Sequence, residues 1–420
     1  MVSNTEVTIF SIHIFNPFTM PPTLTRRRFL ATTGAAAAAL SFPAFLNAKQ
    51  APKIEKISTK ILNPDRGTYL GWPTIARTDS GELLVACSGG RLGGHVCPFG
   101  QDWLYRSHDN GETWTWPQTI YDSPIDNRGA GILVTARGTI LIATFTSLAY
   151  WDGPGWHGLK REIEARKSGT GTQWSDEWFA RCNAVHNRIS DAQREKAVGC
   201  WLFRSTDGGV TWSEKMDPLL NSPHGPIQIK DGRILYPGKE LWTTKQRNGF
   251  SVSEDDGATW SWGGEIPTRQ GDNPTKDYHE LHGVETDSGK LIVHIRKHNR
   301  ADPWTADTLQ TESSDGGKTW SVPHDIDVWG TPSHLLKLRD GRILLSYGYR
   351  REPFGNQVRI SEDEGQTWSE PMTISDDGTN PDLGYPSTVQ LDDGSLATVW
   401  YEVTADSPFA VLRIARWRIK

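Results

Sequence analysis

The sequence predicts an all-β protein, because two short patterns recur along it and its composition suits tightly turning strands. The pattern Ser-x-Asp-x-Gly-x-Thr-Trp occurs five times, and two apolar stretches joined by a glycine turn occur six times. The 420 residues include 41 Gly and 19 Trp, which is typical of β-rich proteins with large aromatic packing units. The net charge of −5 argues against a nucleic-acid-binding role, and no charge run suggests a polyanion groove.

The N-terminal segment, residues 1–48, is predicted to be an export signal rather than part of the fold. A Thr-Arg-Arg-Arg-Phe-Leu stretch at 25–30 precedes an apolar run at 35–46. Basic residues, an apolar core and a small residue at the end are the parts of a signal peptide, and the run is too short for a permanent membrane span. The stretch is similar to twin-arginine signals, which export folded proteins. We therefore expect a periplasmic or secreted protein whose mature chain, residues 49–420, has no membrane span.

Each eight-residue box is expected to form a tight hairpin turn. The boxes begin at residues 107, 205, 253, 313 and 361. The Asp of each box can accept hydrogen bonds from turn N–H groups, the Gly permits a positive φ, and the Trp starts the next strand and packs inward. These are structural roles, so we do not expect the boxes to take part directly in catalysis.

The six glycine hairpins predict the number of repeated units. They turn at Gly81, Gly138, Gly232, Gly289, Gly341 and Gly394. In the first five units a hairpin is followed by a third strand, a box turn and a fourth strand, and such four-stranded antiparallel units predict a six-bladed β-propeller with five boxes. The sixth unit lacks its fourth strand. Residues 53–62 are expected to supply it and so to close the ring.

The predicted ring has one face on which ligands should bind. The starts of the first strands, the ends of the second strands and the loops between strands two and three converge there, opposite the boxes. Counting nine residues back from each hairpin glycine gives Trp72, Gly129, Pro223, Glu280, Pro332 and Tyr385. Positions near this face add Arg91, His95, Arg128, His224, His282, Arg296, His334, Arg350 and Glu402. Such a cluster suits a carboxylate ligand, which Arg binds in bidentate fashion.

No metal site and no cofactor are expected. The stretch HELH at 279–282 lacks the i, i+4 His spacing of a zinc helix, and a strand period puts Glu280 and His282 on one face with His279 pointing away. The cysteines at positions 87, 97, 182 and 200 match no metal motif. Their context is compatible with a disulfide or with buried free thiols.

A helical insertion, at about residues 151–198, is predicted between the second and third strands of the second blade. Apolar residues recur at helical spacing at Trp178, Cys182, Val185, Ile189 and Ala192. Acidic residues 176 and 177 suit the N-terminus of that helix. We expect one helix docked beside the binding face, with tryptophans that stack on sugar rings or pack the helix itself.

With these motifs the chain resembles the sialidase (neuraminidase) superfamily, whose Asp-boxes match the eight-residue pattern from about residue 64 onward. The resemblance implies a six-bladed propeller and an exo-acting glycoside hydrolase with a Tyr nucleophile, a Glu base and an Asp acid. It also implies three Arg that bind the substrate carboxylate. Matched residue by residue, it places Tyr385 at the nucleophile, Glu280 at the base and Arg296 at one Arg. Arg350 is a further candidate Arg, and Glu402 is similar to the Glu that holds the first Arg.

Two positions depart from the family pattern. Where the family has an Arg in a Phe-Arg-Ile-Pro segment, this chain has Leu-Gly-Trp-Pro at 70–73, so Arg91 or Arg128 is a candidate replacement. The acid loop, residues 88–102, contains a single Asp, Asp102, and His95 is an alternative acid. The resemblance therefore predicts a hydrolase of a terminal acidic sugar, either sialic acid or a related one.

Two other functions remain open at this point. A polysaccharide lyase acting on uronic acids would use His and Tyr as base and acid, which His224, His282, His334 and Tyr385 could supply. A non-catalytic carbohydrate-binding propeller would bind without turnover. In each case the partner is a carbohydrate, and we expect a monomer that binds no nucleic acid.

Overall fold

The computed structural model describes residues 51–63, 67–153, 157–299 and 306–420. In this part of the chain the strands form six antiparallel sheets, five with four strands and one with three. The predicted all-β, six-bladed propeller is therefore confirmed. The predicted export signal, residues 1–48, lies outside the described residues.

The first two blades follow an initial strand, β1 (Ile54–Ile61). Blade 1 contains β2 (Tyr69–Arg77), β3 (Leu83–Arg91), β4 (Gln101–Ser107) and β5 (Gln118–Tyr121). Blade 2 contains β6 (Asp126–Val134), β7 (Ile140–Ser147) and β8 (Gly199–Ser205). The fourth strand of blade 2 is reduced to an isolated bridge between Leu202 and Met216.

The insertion between β7 and β8 is helical, as predicted, but its described residues form four helices rather than one. They are α1 (Ala149–Asp152), α2 (Leu159–Ser168), α3 (Asp176–His186) and α4 (Asp191–Ala197). Helix α3 begins where predicted, and the Ser175 side chain accepts a hydrogen bond from the Trp178 N–H at 3.2 Å. It ends earlier than predicted because Ser190 and Gln193 form a capping box that starts α4. The predicted apolar period therefore runs across two helices.

The remaining blades repeat the four-stranded unit. Blade 3 contains β9 (Ile227–Gln228), β10 (Ile234–Lys239), β11 (Asn248–Ser253) and β12 (Ser261–Glu265). A short helix, α5 (Pro274–Asp277), leads into blade 4, which contains β13 (Tyr278–Glu285), β14 (Leu291–His298), β15 (Ala306–Ser313) and β16 (His324–Trp329). Blade 5 contains β17 (Ser333–Lys337), β18 (Ile343–Tyr349), β19 (Gly355–Ser361) and β20 (Met372–Ser375).

The last blade closes the ring as predicted. It contains β21 (Leu383–Gln390), β22 (Leu396–Glu402) and β23 (Val411–Ile419). Strand β1 pairs with β23 and supplies the fourth strand, with Ile54 opposite Ile419 and Ile61 opposite Arg413. Because the chain continues from β1 into β2, which packs against β21, the first and last blades are joined by both pairing and packing.

The hydrophobic core lies between neighbouring blades. In β3, Leu83 and Val85 pack in a cluster shared with the last blade, whereas Leu84 and Ala86 pack in a cluster shared with blade 2. All four are fully buried, so the strand has no solvent-facing side. Burying one such aliphatic side chain contributes about 1.5–3 kcal/mol. Stacked blades of this kind hold the inner strands, which carry the site, in fixed positions.

The five boxes form the predicted turns. In the first box Asp109 accepts hydrogen bonds from the Thr113 N–H at 2.9 Å and from the Thr113 hydroxyl at 2.6 Å. The Ser107 hydroxyl donates to Asp109 at 2.8 Å and accepts from the Gly111 N–H at 2.9 Å, with Gly111 at φ 84°. The same bonds recur around Asp207, Asp255, Asp315 and Asp363. No box residue lines the cavity described below.

The four cysteines are buried free thiols, which was one of the two alternatives that the sequence left open. Within the described ranges, no helix has the length and apolar character needed to cross a bilayer.

Candidate active site

A cavity of about 300 Å³ lies at the mouth of the ring, on the face opposite the boxes. It is lined by Trp72, Gly129, Pro223, Glu280 and Tyr385. These are five of the six positions that lie nine residues before a hairpin glycine. Counting back from the turns therefore located the mouth of the channel.

Four of these lining residues have an unusual backbone conformation. Trp72, Glu280 and Tyr385 have φ values of 53°, 44° and 54°, in the left-handed region that non-glycine residues rarely adopt, and Gly129 has φ 75°. At each of these four places the inner strand carries one residue more than its partner strand, which is a β-bulge. The left-handed conformation costs about 1–2 kcal/mol per non-glycine residue. Strain of this kind is concentrated at functional sites.

Tyr385, Glu280 and Arg296 form a hydrogen-bonded triad in the cavity. The Tyr385 hydroxyl donates to Glu280 Oε1 at 2.5 Å, and Arg296 Nη1 donates to Glu280 Oε2 at 2.5 Å and to Tyr385 Oη at 3.2 Å. Burial, reinforced by the Glu280 carboxylate, raises the pKa of Tyr385. Burial alone would raise the pKa of Glu280, but Arg296 and the hydrogen bond from Tyr385 hold it below its ordinary value. An ionised carboxylate therefore faces a neutral phenol, as a base faces its nucleophile.

The cavity carries more positive than negative charge. Its charged lining residues are Arg128, Lys239, Arg296 and Arg350, with Glu280 the single carboxylate among them. The Arg350 guanidinium lies over the Tyr385 ring, 5.8 Å from its centre. In the described part of the chain, the Nε atoms of Arg296 and Arg350 are buried and have no hydrogen-bond partner. An anionic ligand would satisfy these donors, and leaving one unsatisfied costs about 1–3 kcal/mol.

Trp72, which the family resemblance aligns with the first family Arg, lies close to two other arginines. The guanidinium carbons of Arg91 and Arg128 each lie 5.0 Å from its ring centre. Arg128 lines the cavity, whereas Arg91 is fully buried with its Nη1 2.8 Å from Asp126. Of the two arginines predicted to replace the missing one, the structure brings only Arg128 to the cavity.

His95 lines the cavity and is anchored by Asp382. His95 Nδ1 lies 3.0 Å from Asp382 Oδ1, and the Tyr69 and Tyr401 hydroxyls each donate to the same carboxylate at 3.1 Å. Burial alone would raise the pKa of Asp382, but His95 and the other partners lower it to about 2. Burial lowers the pKa of His95, although Asp382 opposes that effect. Sequence reasoning missed Asp382, and its only signal was its position three residues before Tyr385.

Asp102 and Glu402, both singled out from the sequence, lie outside the cavity. Asp102 is fully buried and accepts hydrogen bonds from Asn127 and Thr144 at 3.0 Å each, and burial raises its pKa to about 8. Glu402 is fully buried and pairs with Arg413 rather than with an arginine of the cavity. Of the two predicted acids, therefore, the structure brings only His95 to the cavity.

Three predicted histidines form a cluster behind Tyr385 rather than at the cavity surface. The ring centres of His224, His282 and His334 lie 4.5–5.4 Å apart, and His224 lies 6.1 Å from the Tyr385 ring. All three are buried, and burial lowers the pKa of each, to about 3 for His334. None of them lines the cavity.

His279 lines the cavity beside Glu280, so the prediction that it points away was wrong. The bulge between His279 and Leu281 inserts an extra residue and breaks the strand alternation on which that prediction rested. The His279 ring packs against His298, with centres 4.4 Å apart. Among the described residues, no three His, Cys, Asp or Glu side chains are arranged to hold a metal ion.

Phe145 and Trp242 form an aromatic wall that the sequence reasoning did not single out. Their ring centres lie 6.5 Å apart, and both line the cavity. Phe145 lies seven residues after hairpin glycine Gly138, the spacing that also identified Arg296, so the signal was present. Of the insertion tryptophans that the structure describes, none lines the cavity, and Trp151 stacks on His186 with ring centres 4.1 Å apart.

Comparisons with known proteins bear on the family and the fold of the chain. The BNR repeat-like domain family matches residues 179–398. A sialidase of Bacteroides fragilis (strain YCH46) is 26% identical over 239 residues, covering 51% of this chain and 41% of that protein. A sialidase of Micromonospora viridifaciens is 25% identical over 209 residues, covering 42% of this chain and 32% of that protein. The aligned part of the chain therefore spans well under half the length of these relatives.

Solved structures share the fold. A Dyadobacter fermentans protein of unknown function superposes with a TM-score of 0.66 at 23% identity, covering 87% of this chain and 99% of that one. The Hadza microbial sialidase Hz136 superposes with a TM-score of 0.57 at 18% identity, covering 85% of this chain and 66% of that one.

Proposed function

Because this chain belongs to the BNR repeat-like family of sialidase-type Asp-box propellers, we propose that it is an exo-acting glycoside hydrolase that removes a terminal acidic sugar. Sialic acid or a related sugar is the proposed substrate. The observation that carries the proposal is the triad of Tyr385, Glu280 and Arg296 in a cavity with four cationic side chains. The relatives named sialidases support a hydrolase, and the charge of the cavity supports an acidic sugar.

In the proposed reaction Tyr385 attacks the anomeric carbon while Glu280 takes the phenol proton. A neutral attacking group avoids repulsion with the substrate carboxylate, which a carboxylate nucleophile would suffer. Arg296 and Arg350 bind the substrate carboxylate through donors that are otherwise unsatisfied, and Arg128 adds positive charge beside Trp72. Hydrolysis of the tyrosyl glycoside then gives a product with retained configuration.

An exo mode of action is supported by the size of the cavity. Ligand pockets usually measure about 300–1,000 Å³, so this cavity is at the lower end of the range. It has room for a terminal sugar rather than for a long internal segment of a polymer. Phe145 and Trp242 add an apolar surface to the lining of the cavity.

The lyase alternative has weaker support. It assigned proton transfer to Tyr385 together with His224, His282 and His334. Tyr385 lines the cavity, but the three histidines lie behind it without lining the cavity. A lyase creates a new double bond that absorbs in the near ultraviolet, and a hydrolase does not, so absorbance separates the two reactions.

The test is a substrate panel on the mature chain, from about residue 49. A sialyl-linked fluorogenic substrate is incubated beside uronic-acid and neutral glycosides while released fluorophore and ultraviolet absorbance are followed. We expect release from the acidic glycoside, a loss of at least about 100-fold in Tyr385→Phe, and no change in Tyr349→Phe. Tyr349 is a matched control because it lies in β18 outside the cavity.

Two results would contradict the proposal. A rise in absorbance without released fluorophore would identify a lyase. Ligand binding without turnover of any glycoside would identify a binding propeller.

We also propose that the protein acts after export through a twin-arginine signal in residues 1–48. Replacing residues 26–28 by Lys should leave the precursor inside the cell, as cell fractionation would show. Unchanged export of that variant would refute this route.

A further inference from the structure

We infer that Asp382 is a positioning residue for His95, and that the Asp382–His95 pair delivers the proton to the glycosidic oxygen and later takes one from water. This inference rests on the proposed hydrolase, since it assigns the acid step of that reaction. It adds a residue that neither the sequence pattern nor the family resemblance indicated.

The Asp382 carboxylate is held by donors from three parts of the chain. His95 Nδ1 lies 3.0 Å from Oδ1, the Tyr69 hydroxyl lies 3.1 Å from both carboxylate oxygens, and the Tyr401 hydroxyl lies 3.1 Å from Oδ1. Tyr69 and Tyr401 are buried in β2 and β22. The carboxylate is therefore fixed by the walls of blades 1 and 6, and it can hold the imidazole in one orientation.

This contact determines which ring nitrogen can exchange a proton. Because an ionised carboxylate only accepts hydrogen bonds, Nδ1 of His95 must carry a proton when it faces Asp382. The Tyr69 hydroxyl oxygen, 3.0 Å from Nδ1, can share that proton while donating its own to Asp382. The second proton of the imidazolium is then on Nε2, and in this proposal it is the proton that is transferred. A carboxylate behind an imidazole commonly fixes the tautomer in this way.

His95 and Tyr385 lie against the same indole ring. The Trp72 ring meets His95 edge-on with centres 4.8 Å apart, and it meets Tyr385 edge-on with centres 6.5 Å apart. Both groups line the same cavity. A sugar held against Trp72 would therefore be close to both the proposed nucleophile and the imidazole.

The proton balance of the two steps is complete. In the first step the Tyr385 oxygen bonds to the anomeric carbon, its proton passes to Glu280, the glycosidic C–O bond breaks and His95 Nε2 gives its proton to the leaving oxygen. In the second step water attacks the same carbon and gives a proton to His95 Nε2. The bond to Tyr385 breaks, and its oxygen recovers the proton from Glu280. The enzyme returns to its starting state, as a retaining mechanism requires.

The charges around His95 set the expected pH dependence. Burial lowers its pKa, Asp382 raises it, and Arg128 and Arg91 lower it further. His95 must be protonated to act as the acid, so activity falls as pH rises through its pKa. Replacing Asp382 by Asn removes the opposing charge and should move this limb to lower pH.

The first experiment compares leaving groups in Asp382→Asn. For an alkyl glycoside of the acidic sugar, which needs protonation to leave, we expect kcat to fall about 100-fold. For the dinitrophenyl glycoside of the same sugar, which leaves without protonation, we expect less than about a tenth of that loss. Asp377→Asn is the matched control, since Asp377 is an exposed carboxylate paired with Arg413 and should change neither rate. Equal losses on both substrates would show a purely structural role and overturn the inference.

The second experiment does not depend on turnover. In protein labelled with ¹⁵N-histidine, the His95 signals are assigned with His95→Gln and titrated by NMR. We expect neutral His95 to carry its proton on Nδ1 and its pKa to fall by about one unit or more in Asp382→Asn. An unchanged pKa and tautomer would overturn the inference. If no glycoside is hydrolysed by the wild-type protein, the proposed function fails, and this titration still decides whether Asp382 controls His95.

Discussion

Replacing Glu280 by Gln tests the base of the proposed reaction with little change in shape. Glu280 accepts hydrogen bonds from Tyr385 and Arg296 at 2.5 Å each, so its two oxygens have different partners. Burial and the neighbouring carboxylate raise the pKa of Tyr385, so the phenol keeps its proton at neutral pH and needs a base to become a nucleophile. The amide cannot accept that proton.

The expected loss follows from that role. Removing a positioned general base typically costs 10²–10⁴-fold in rate, which corresponds to about 3–5 kcal/mol of activation free energy. The variant also loses the charge that pairs with Arg296, whose side chain is 10% exposed. Leaving a buried charged group with a weaker partner costs about 1–3 kcal/mol. We therefore expect a somewhat lower melting temperature but a folded protein.

The pH dependence of the rate gives a second, independent test of Glu280 as the base. Glu280 must be ionised to act as a base, and Arg296 and Tyr385 hold its pKa below the ordinary value despite burial. In the wild type, kcat/KM should therefore rise with pH through an acidic limb below about pH 4.5, the ordinary Glu range. This limb should be absent in Glu280→Gln.

The assay is steady-state release of fluorophore across pH, with thermal unfolding measured in parallel. Glu285→Gln is the matched control, because Glu285 lies in the same strand β13 and accepts a hydrogen bond from the Lys230 N–H outside the cavity. If Glu280→Gln kept activity within about threefold of the control, Glu280 would not be the general base, and the expected loss of rate would be wrong.

Three further predictions follow from the same contacts. Trp72→Arg places a third cation close to Arg91 and Arg128, so we expect calorimetry to show a lower melting temperature and kinetics to show no gain on sialyl substrates. A gain in activity would mean that the family clamp can be restored. Arg350→Ala should raise KM about tenfold or more with a smaller change in kcat, because the Arg350 side chain binds substrate and transition state alike. Steady-state kinetics that show a loss confined to kcat would contradict this role. Asp109→Asn should lower the melting temperature by roughly 2 °C, because a hydrogen bond within the box is lost, and kcat should stay unchanged. A fall in kcat without unfolding would argue against a purely structural role of the box.

The architecture was predictable because it rests on local signals that repeat. The hairpin glycines set strand pairs and the boxes set the outer turns, so a count of units gave six blades and a missing strand that β1 supplies. Counting nine residues back from the hairpin glycines also identified Trp72, Glu280 and Tyr385, because each lies at the same depth in the inner strand of its blade.

The parts that escaped prediction depend on contacts without a local signature. His279 enters the cavity because a bulge breaks the strand period. Asp382 meets His95 across 287 residues of sequence, and no spacing indicates such a pair. Asp102 was a predicted general acid because it is the single Asp of residues 88–102, yet hydrogen bonds from Asn127 and Thr144 hold it in the interior.

In the proposed mechanism Tyr385 forms a covalent bond to the sugar, and trapping that bond is the decisive experiment. The probe is the fluoride of the acidic sugar with a second fluorine beside the anomeric carbon, which slows both steps while the fluoride leaves without an acid. Intact-mass and peptide mass spectrometry should find one glycosyl unit on the peptide that contains Tyr385, and none in Tyr385→Phe. Turnover of the probe with no adduct, or an adduct on another residue, would contradict the account.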